Sequence, residues 1–224
     1  MAEFTIDLHV HTSNVSSCGR LEAAELAGLY RSRGYDGIVI TDHYYDGFFE
    51  PLTALSWNEK IDRFLEGYRI AAATGRRVGL AVWLGMEIRF TENPNDYLVY
   101  GITPEWLRDH PDLFRLGLKR FRALAAASGC LIYQAHPFRP GIRPADPKLL
   151  DGVEVINGNP RHDSRNHLAY QFALRHGLRM ISGSDCHQSE DPGNGGVVAQ
   201  EPINSGAELL ERLRQDRWLR LIGR

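Results

Sequence analysis

The feature that most constrains this chain is how its short apolar runs end. In Thr5–His11, Ile6, Leu8 and Val10 alternate with Asp7, His9 and His11, so a strand turns both histidines to one face. Taken alone, this His-x-His is equally a half-buried strand with two polar contacts. It is not alone. Gly37–Thr41 leads to Asp42 and His43, Leu84-Gly85-Met86 to Glu87, Leu131–Ala135 to His136-Pro137, and Met180–Ser184 to Asp185 and His187. The strands of an α/β barrel converge at their C-terminal ends on one mouth, which makes neighbours of ligand-type residues far apart in sequence.

The organisation of the chain agrees with such a barrel. Strand-like runs at Phe4–Val10, Gly37–Thr41, Val78–Met86, Leu98–Ile102, Cys130–Ala135, Val153–Ile156 and Met180–Ser182 alternate with amphipathic stretches, as βα units around a mostly parallel sheet do. Helical spacing is clear in Ala23, Leu26, Ala27, Tyr30, in Trp57, Ile61, Phe64, Leu65, Tyr68, and in Phe114, Leu118, Phe121, Ala125. Ser56 with Glu59 and Ser205 with Glu208 have capping-box spacing. Phe90–Asp96, Phe138–Pro147 and the Gly-, Pro- and acid-rich Ser189–Gly196 read as loops, the last over the site. With 224 residues and 43% hydrophobic composition, a single domain over 1–224 is expected.

A formal net charge of −2 without Lys or Arg runs argues against long duplex nucleic acid as a partner. No apolar run reaches membrane-spanning length, and the first ten residues lack the basic start and unbroken apolar core of a signal peptide. Cys18, Cys130 and Cys186, odd in number and without Cys-x-x-Cys spacing, suit a reducing compartment, so a cytoplasmic protein is expected.

The strand ends offer five histidines and two carboxylates: His9, His11, His43, His136, His187, Glu87 and Asp185. This exceeds the ligand set of one catalytic ion, so at least two divalent ions are expected, with Glu87 placed to bridge them. Imidazoles and carboxylates without a thiolate cluster suit Zn, Mn or Fe in a hydrolytic site. A phosphate would need guanidinium donors. Arg139, just after His136-Pro137-Phe138, is the first candidate for substrate binding, followed by Arg161 and Arg165. His110, His162, His167 and His176 follow no motif and are expected at the surface or at helix caps.

Asp7-Leu8-His9-Val10-His11-Thr12, Thr41-Asp42-His43, the Glu87 strand, His136-Pro137 and Gly183-Ser184-Asp185-Cys186-His187 occur in the order of the four motifs of the polymerase and histidinol phosphatase (PHP) family, which this sequence resembles from Asp7 to His187. The resemblance implies an α/β fold, a distorted (β/α)7 TIM-like barrel of the PHP type, and two or three metal ions used in phosphoester hydrolysis. By motif, His9, His11, Glu87 and Asp185 would hold one ion, Glu87 and His136 a second, and His43 and His187 a third. Asp42 would orient its neighbours and, with Glu87 and Asp185, complete the catalytic carboxylates; its alternative role is a helix N-cap. Two departures stand out. Tyr97-Leu98-Val99-Tyr100-Gly101 replaces a phrase that often begins with His, so Tyr97 is expected to line the pocket and contact substrate. Ser17-Cys18-Gly19 replaces Ser-Asp-Gly, and Cys18 is read as a small buried residue in preference to an additional ligand.

The expected function is hydrolysis of a phosphate mono- or diester of a small molecule or short nucleotide by a metal-activated hydroxide. The alternatives are an amidohydrolase-type C–N hydrolase and a non-catalytic metal-binding regulatory module.

Overall fold

The computed structural model describes residues 3–223. One mixed sheet contains β1 (Phe4–Val10), β2 (Gly37–Ile40), β3 (His43–Tyr44), β4 (Ala81–Arg89), β5 (Asp96–Tyr100), β6 (Leu131–Gln134), β7 (Gly152–Asn157), β8 (Arg179–Gly183), β9 (Gly195–Ala199) and β10 (Arg220–Gly223). The strand order is β10-β9-β1-β2-β4-β5-β6-β7-β8, with the short β3 also paired to β4. Past β8 the chain returns to β1. Val10 bridges Cys186 in parallel, with His11 N donating to Cys186 O at 3.1 Å and Cys186 N to His9 O at 3.2 Å. The sheet is therefore a nearly closed barrel, as the spacing of apolar runs and strand-end ligands predicts.

Helices α1 (Ala23–Ser32), α2 (Asp46–Phe49), α3 (Trp57–Phe64), α4 (Glu66–Val78), α5 (Pro104–Asp109), α6 (Gly117–Ser128), α7 (Asn166–His176) and α8 (Gly206–Gln215) fill the connections. Ser56 and Glu59 form the full reciprocal capping box of α3. At α8, Ser205 accepts from Glu208 N, but the Glu208 carboxylate turns to Asn204 N at 2.9 Å. Ile6, Leu8, Val39, Leu98, Tyr100, Leu131, Tyr133, Ile181 and Val197, from β1, β2, β5, β6, β8 and β9, pack together as the barrel interior. Leu209 and Leu213 of α8 join them, and Tyr133 Oη donates to Leu213 O at 2.9 Å. A larger apolar cluster, with Phe49, Phe64, Ile88, Val99, Phe114, Phe121, Ile132 and Val153, lies between the sheet and α2, α3, α5 and α6.

Three elements differ from the sequence-based expectation. The run expected as a strand from Val78 is helical at its start: α4 continues through Val78 and stops at Gly79, whose φ of 75° belongs to the left-handed region. The strand then runs from Ala81 to Arg89. The segment expected from Leu98 begins at Asp96 and is antiparallel to both β4 and β6. Beyond the loop at Ser189–Asn194, β9 pairs antiparallel with β1 and β10. The paired glycines that open β9 concealed it, since a strand starting Gly195-Gly196 carries no alternation of side chains.

Close packing between β1 and β8 requires glycine at 183. A Cβ there would lie 2.4 Å from His9 Cβ and 2.9 Å from Glu154 Oε1. Gly183→Ala should lower stability in chemical denaturation by about 1–3 kcal/mol, the usual cost of overpacking. Gly28→Ala on α1, where an added Cβ meets nothing within 4 Å, serves as the control and should be neutral or stabilising. Equal effects of the two changes would contradict this account of barrel closure.

Candidate metal centre

Glu87, on β4 and 1% exposed, is the centre of the mouth. Its Oε1 lies 3.3 Å from His9 Nε2 and 3.2 Å from His136 Nε2. Its Oε2 lies 2.9 Å from His43 Nδ1 and 3.3 Å from His11 Nε2. Four imidazoles from the ends of β1 and β6 and from β3 thus face one carboxylate. Asp185 Oδ1 approaches His9 at 3.5 Å, His11 at 3.4 Å and His187 Nδ1 at 3.6 Å. The sequence-derived set His9, His11, His43, Glu87, His136, Asp185 and His187 is brought together. His136 and Asp185 adopt positive φ, 30° and 52°. Non-glycine residues in that region cost about 1–3 kcal/mol each and persist where the surroundings force them.

The donors fit cations. His9 Nε2 and His11 Nε2 converge to 3.0 Å, so a shared proton or a cation must separate their lone pairs. Glu87 Oε2, His136 Nδ1 and His187 Nε2 are buried without hydrogen-bond partners. Ligand atoms of His9, His11 and Asp185, of His43, Glu87 and Asp96, and of His11, Cys18, His43 and His187 fall within 4.8 Å of one another in each group. The electrostatics agree. Burial alone would discharge these groups, but the imidazolium charges of His9 and His43 hold Glu87 well below the usual carboxylate range. Burial is likewise overridden at Asp185, kept low by His9, and at His11, raised to about 9 by Asp185 and Glu87. His187 is the opposite case, lowered to about 4 by burial and by the neighbouring His11.

Around these donors stand buried carboxylates that sequence reasoning missed or assigned differently. Glu154 on β7, 0% exposed, accepts from His9 Nδ1 at 2.8 Å and from His136 N at 3.0 Å. A carboxylate on the far ring nitrogen fixes the tautomer that leaves Nε2 free for an ion. Its signal was weak, because Glu154 sits inside the apolar run Val153–Ile156 and not at its end. Asp7 does not share its neighbours' direction. The β1 register is irregular between Asp7 and Val10, and Asp7 receives Tyr30 Oη at 2.7 Å and Ser184 N at 3.0 Å. Asp42, after β2, directs both oxygens at the loop after β1, accepting from Thr12 N at 2.7 Å, Thr12 Oγ1 at 2.8 Å and Ser16 Oγ at 2.7 Å. It positions the loop after β1, and its partners are not those of a helix N-cap.

The donors open into a cleft of about 330 Å3 lined also by Cys18, Arg20, Arg89, Asp96, Arg139, Arg161 and His162. Arg139 donates to Asp185 Oδ2 at 2.6 Å, and Arg161 is paired with Asp191 at 2.9 and 2.5 Å. Three residues depart from expectation. Arg165 lies outside the cleft lining, 3.7 Å from Asp163 and exposed. Tyr97 packs against Phe90 on the opposite face of β5, its hydroxyl accepting from Asn95 at 3.2 Å, while its neighbour Asp96 reaches the cleft. Cys18 is exposed at the rim and not a small buried residue. His162 is exposed, as expected of a surface residue, and also lines the cleft. A larger apolar cavity of about 460 Å3, lined by Trp83, Tyr100, Leu209 and Leu210 among others, has no acid, histidine or base in its wall.

A family model described as PHP-associated matches residues 163–218. No curated protein sequence matches the chain significantly. A two-domain protein from Bacteroides vulgatus, described as containing a predicted PHP-like metal-dependent phosphoesterase, superposes with a TM-score of 0.67 at 19% identity over 97% of this chain. The chain spans 64% of that protein's length. PsfC from Pseudomonas syringae gives 0.66 at 16% identity, covering 96% of this chain and 95% of that one. An amidohydrolase from Chromobacterium violaceum with bound sulfate gives 0.52 at 19% identity, covering 93% and 96%. With its nearly closed barrel, the chain shares the fold of a PHP-like protein, and its residues 163–218 match the PHP-associated family model.

Proposed function

We propose that this chain is a metal-dependent phosphoesterase acting on a small phosphorylated molecule or short nucleotide. The observation that carries the reading is Glu87, whose two oxygens each face a pair of imidazoles at the floor of an arginine-lined cleft. His9, His11 and Asp185 would hold one ion and His43, His136 and His187 would share others with Glu87. Two or three bound Zn, Mn or Fe ions would supply positive charge to polarise the phosphoryl group and to acidify water.

The remaining work falls to side chains of the chain itself. Glu154 locks the His9 ring through Nδ1 and holds the His136 backbone, so both imidazoles keep their inward aim. Arg139, 16% exposed at its side chain, retains donors beyond its bond to Asp185, and can meet phosphoryl oxygens as negative charge builds on them. Arg20 extends the same field to the rim, where no carboxylate pairs with it among the described residues. Asp42 keeps the loop Thr12–Leu21 closed beside the cleft through Thr12 and Ser16.

The likeness to an amidohydrolase favours C–N hydrolysis as a second reading. Against it, the only lysines, Lys60, Lys119 and Lys148, lie on α3, α6 and a turn at Pro147–Leu149, so no carboxylated lysine can bridge ions here. Guanidinium-rich walls suit phosphate better than an amide.

Metal content, activity and two substitutions test the reading. Purified protein should hold at least two transition-metal ions per chain by elemental analysis and lose hydrolysis of phosphate esters on chelation. Activity on amides with none on phosphate esters would replace the proposal by its rival. Glu154→Gln should weaken metal affinity by about 10- to 100-fold, as loss of a ligand-orienting carboxylate does, and Arg139→Ala should weaken inhibition by inorganic phosphate with metal content unchanged. Unchanged affinity in Glu154→Gln would remove its positioning role.

A further inference from the structure

The loop that carries Cys18 is held in place from several directions. Ser13 N bonds Leu21 O at 2.8 Å, Gly19 N bonds Ser16 O at 2.9 Å, and Arg20 N bonds His187 O at 2.8 Å. Ser16 Oγ donates to Asp42 at 2.7 Å and accepts from His43 N at 3.0 Å. Gly19 is packed so tightly that a Cβ would lie 2.8 Å from Thr12 C. The effect of this bracing is to set an exposed thiol beside imidazoles. Cys18 Sγ and ring nitrogens of His11, His43 and His187 all lie within 4.8 Å of one another. Next to them, the buried Glu87 Oε2 is 2.9 Å from His43 Nδ1 but aligned with neither neighbouring ring for a hydrogen bond. His11 also belongs to the group with His9 and Asp185, which leaves Cys18, His43 and His187 as the outer donors.

We propose that Cys18, His43 and His187 form a mixed thiolate–imidazole cation site at the cleft mouth, selective for zinc-like ions over manganese. The inference rests on the reading that this centre binds metal. Sulfur is a soft donor, and thiolate with imidazole favours zinc, whereas manganese prefers carboxylate and water oxygen. The thiol loses its proton to solvent as the sulfur binds. Two nitrogens and one sulfur supply three of the four donors that zinc ordinarily takes and leave the fourth position to water.

The test uses the full chain freed of metal by chelation. Cys130 and Cys186 are 3% and 0% exposed, so a chromogenic disulfide should react rapidly with Cys18 alone. Saturating Cd2+ or Zn2+ should slow that reaction by at least about tenfold, and Cd2+ should bring an ultraviolet thiolate-to-metal absorption that Cys18→Ser lacks. Cys18→Asp, which offers oxygen in place of sulfur, should lower the zinc-over-manganese preference by at least about tenfold. If bound ions are found by elemental analysis yet Cys18 reacts equally fast with and without Cd2+, the thiolate site is wrong and the metal centre stands. If no ion binds at all, both readings fall. The wild-type reactivity measurement decides the matter even should a Cys18 variant misfold.

Discussion

A carboxylate sealed among imidazoles is the constraint on which the rest of this molecule depends. Glu87 is 1% exposed, and an ion so placed is tolerated only when opposite charge reaches it from several sides. Its neighbours come from the ends of β1 and β6 and from β3, so the barrel must close before Glu87 has any partner. Protons on His9, His11 and His43 can meet this requirement, and divalent ions meet it better, with two charges each at the same donors. Despite burial, the carboxylates around them hold the imidazoles of His9, His11 and His43 above their ordinary range, the field of a pocket that draws positive charge.

The surrounding residues divide this problem among separate parts of the fold. Glu154 reaches through the barrel from β7 to the rear of His9, Asp42 ties the loop after β1, and Asp7 joins Tyr30 of α1 to Ser184. Burial pushes the Asp7 carboxyl up to about 6 even though Ser184, Tyr30 and His9 donate to it. Each of these acids holds a backbone or a ring and leaves the cleft to other groups. Such fully partnered polar layers set the rotamers of the donors in front of them. The positive φ of His136 and Asp185 shows backbone bent to the same end.

A barrel of this kind does not by itself choose between phosphoester and C–N bond hydrolysis, since one fold carries many chemistries. The choice lies in the wall. Here the wall is guanidinium-rich and lysine-free: Arg20, Arg89, Arg139 and Arg161 line the cleft, two of them anchored by bidentate pairs to Asp96 and Asp191. Anchored guanidinium groups keep their charge while losing freedom.

What the sequence by itself determined was the inner layer. Strand alternation and the position of acids and histidines at run ends follow local rules with a period of two, so His9, His11, Glu87, His136 and Asp185 could be named before any fold was known. The resemblance, not this periodicity, put Tyr97 in the pocket. A one-residue change of phase sends every side chain of a strand to the other face, and β5 begins at Asp96, which puts Asp96 at the cleft and Tyr97 in the outer core. Tertiary structure alone decided the rest. Glu154 reads as one residue of an apolar run until His9 is seen behind it, Arg165 and Arg161 are indistinguishable until Asp191 and the α7 terminus separate them, and Cys18 is a small residue in a loop until that loop is folded over His187. Contacts between residues far apart in the chain leave no periodic trace, and only closure of the barrel brings them to one place.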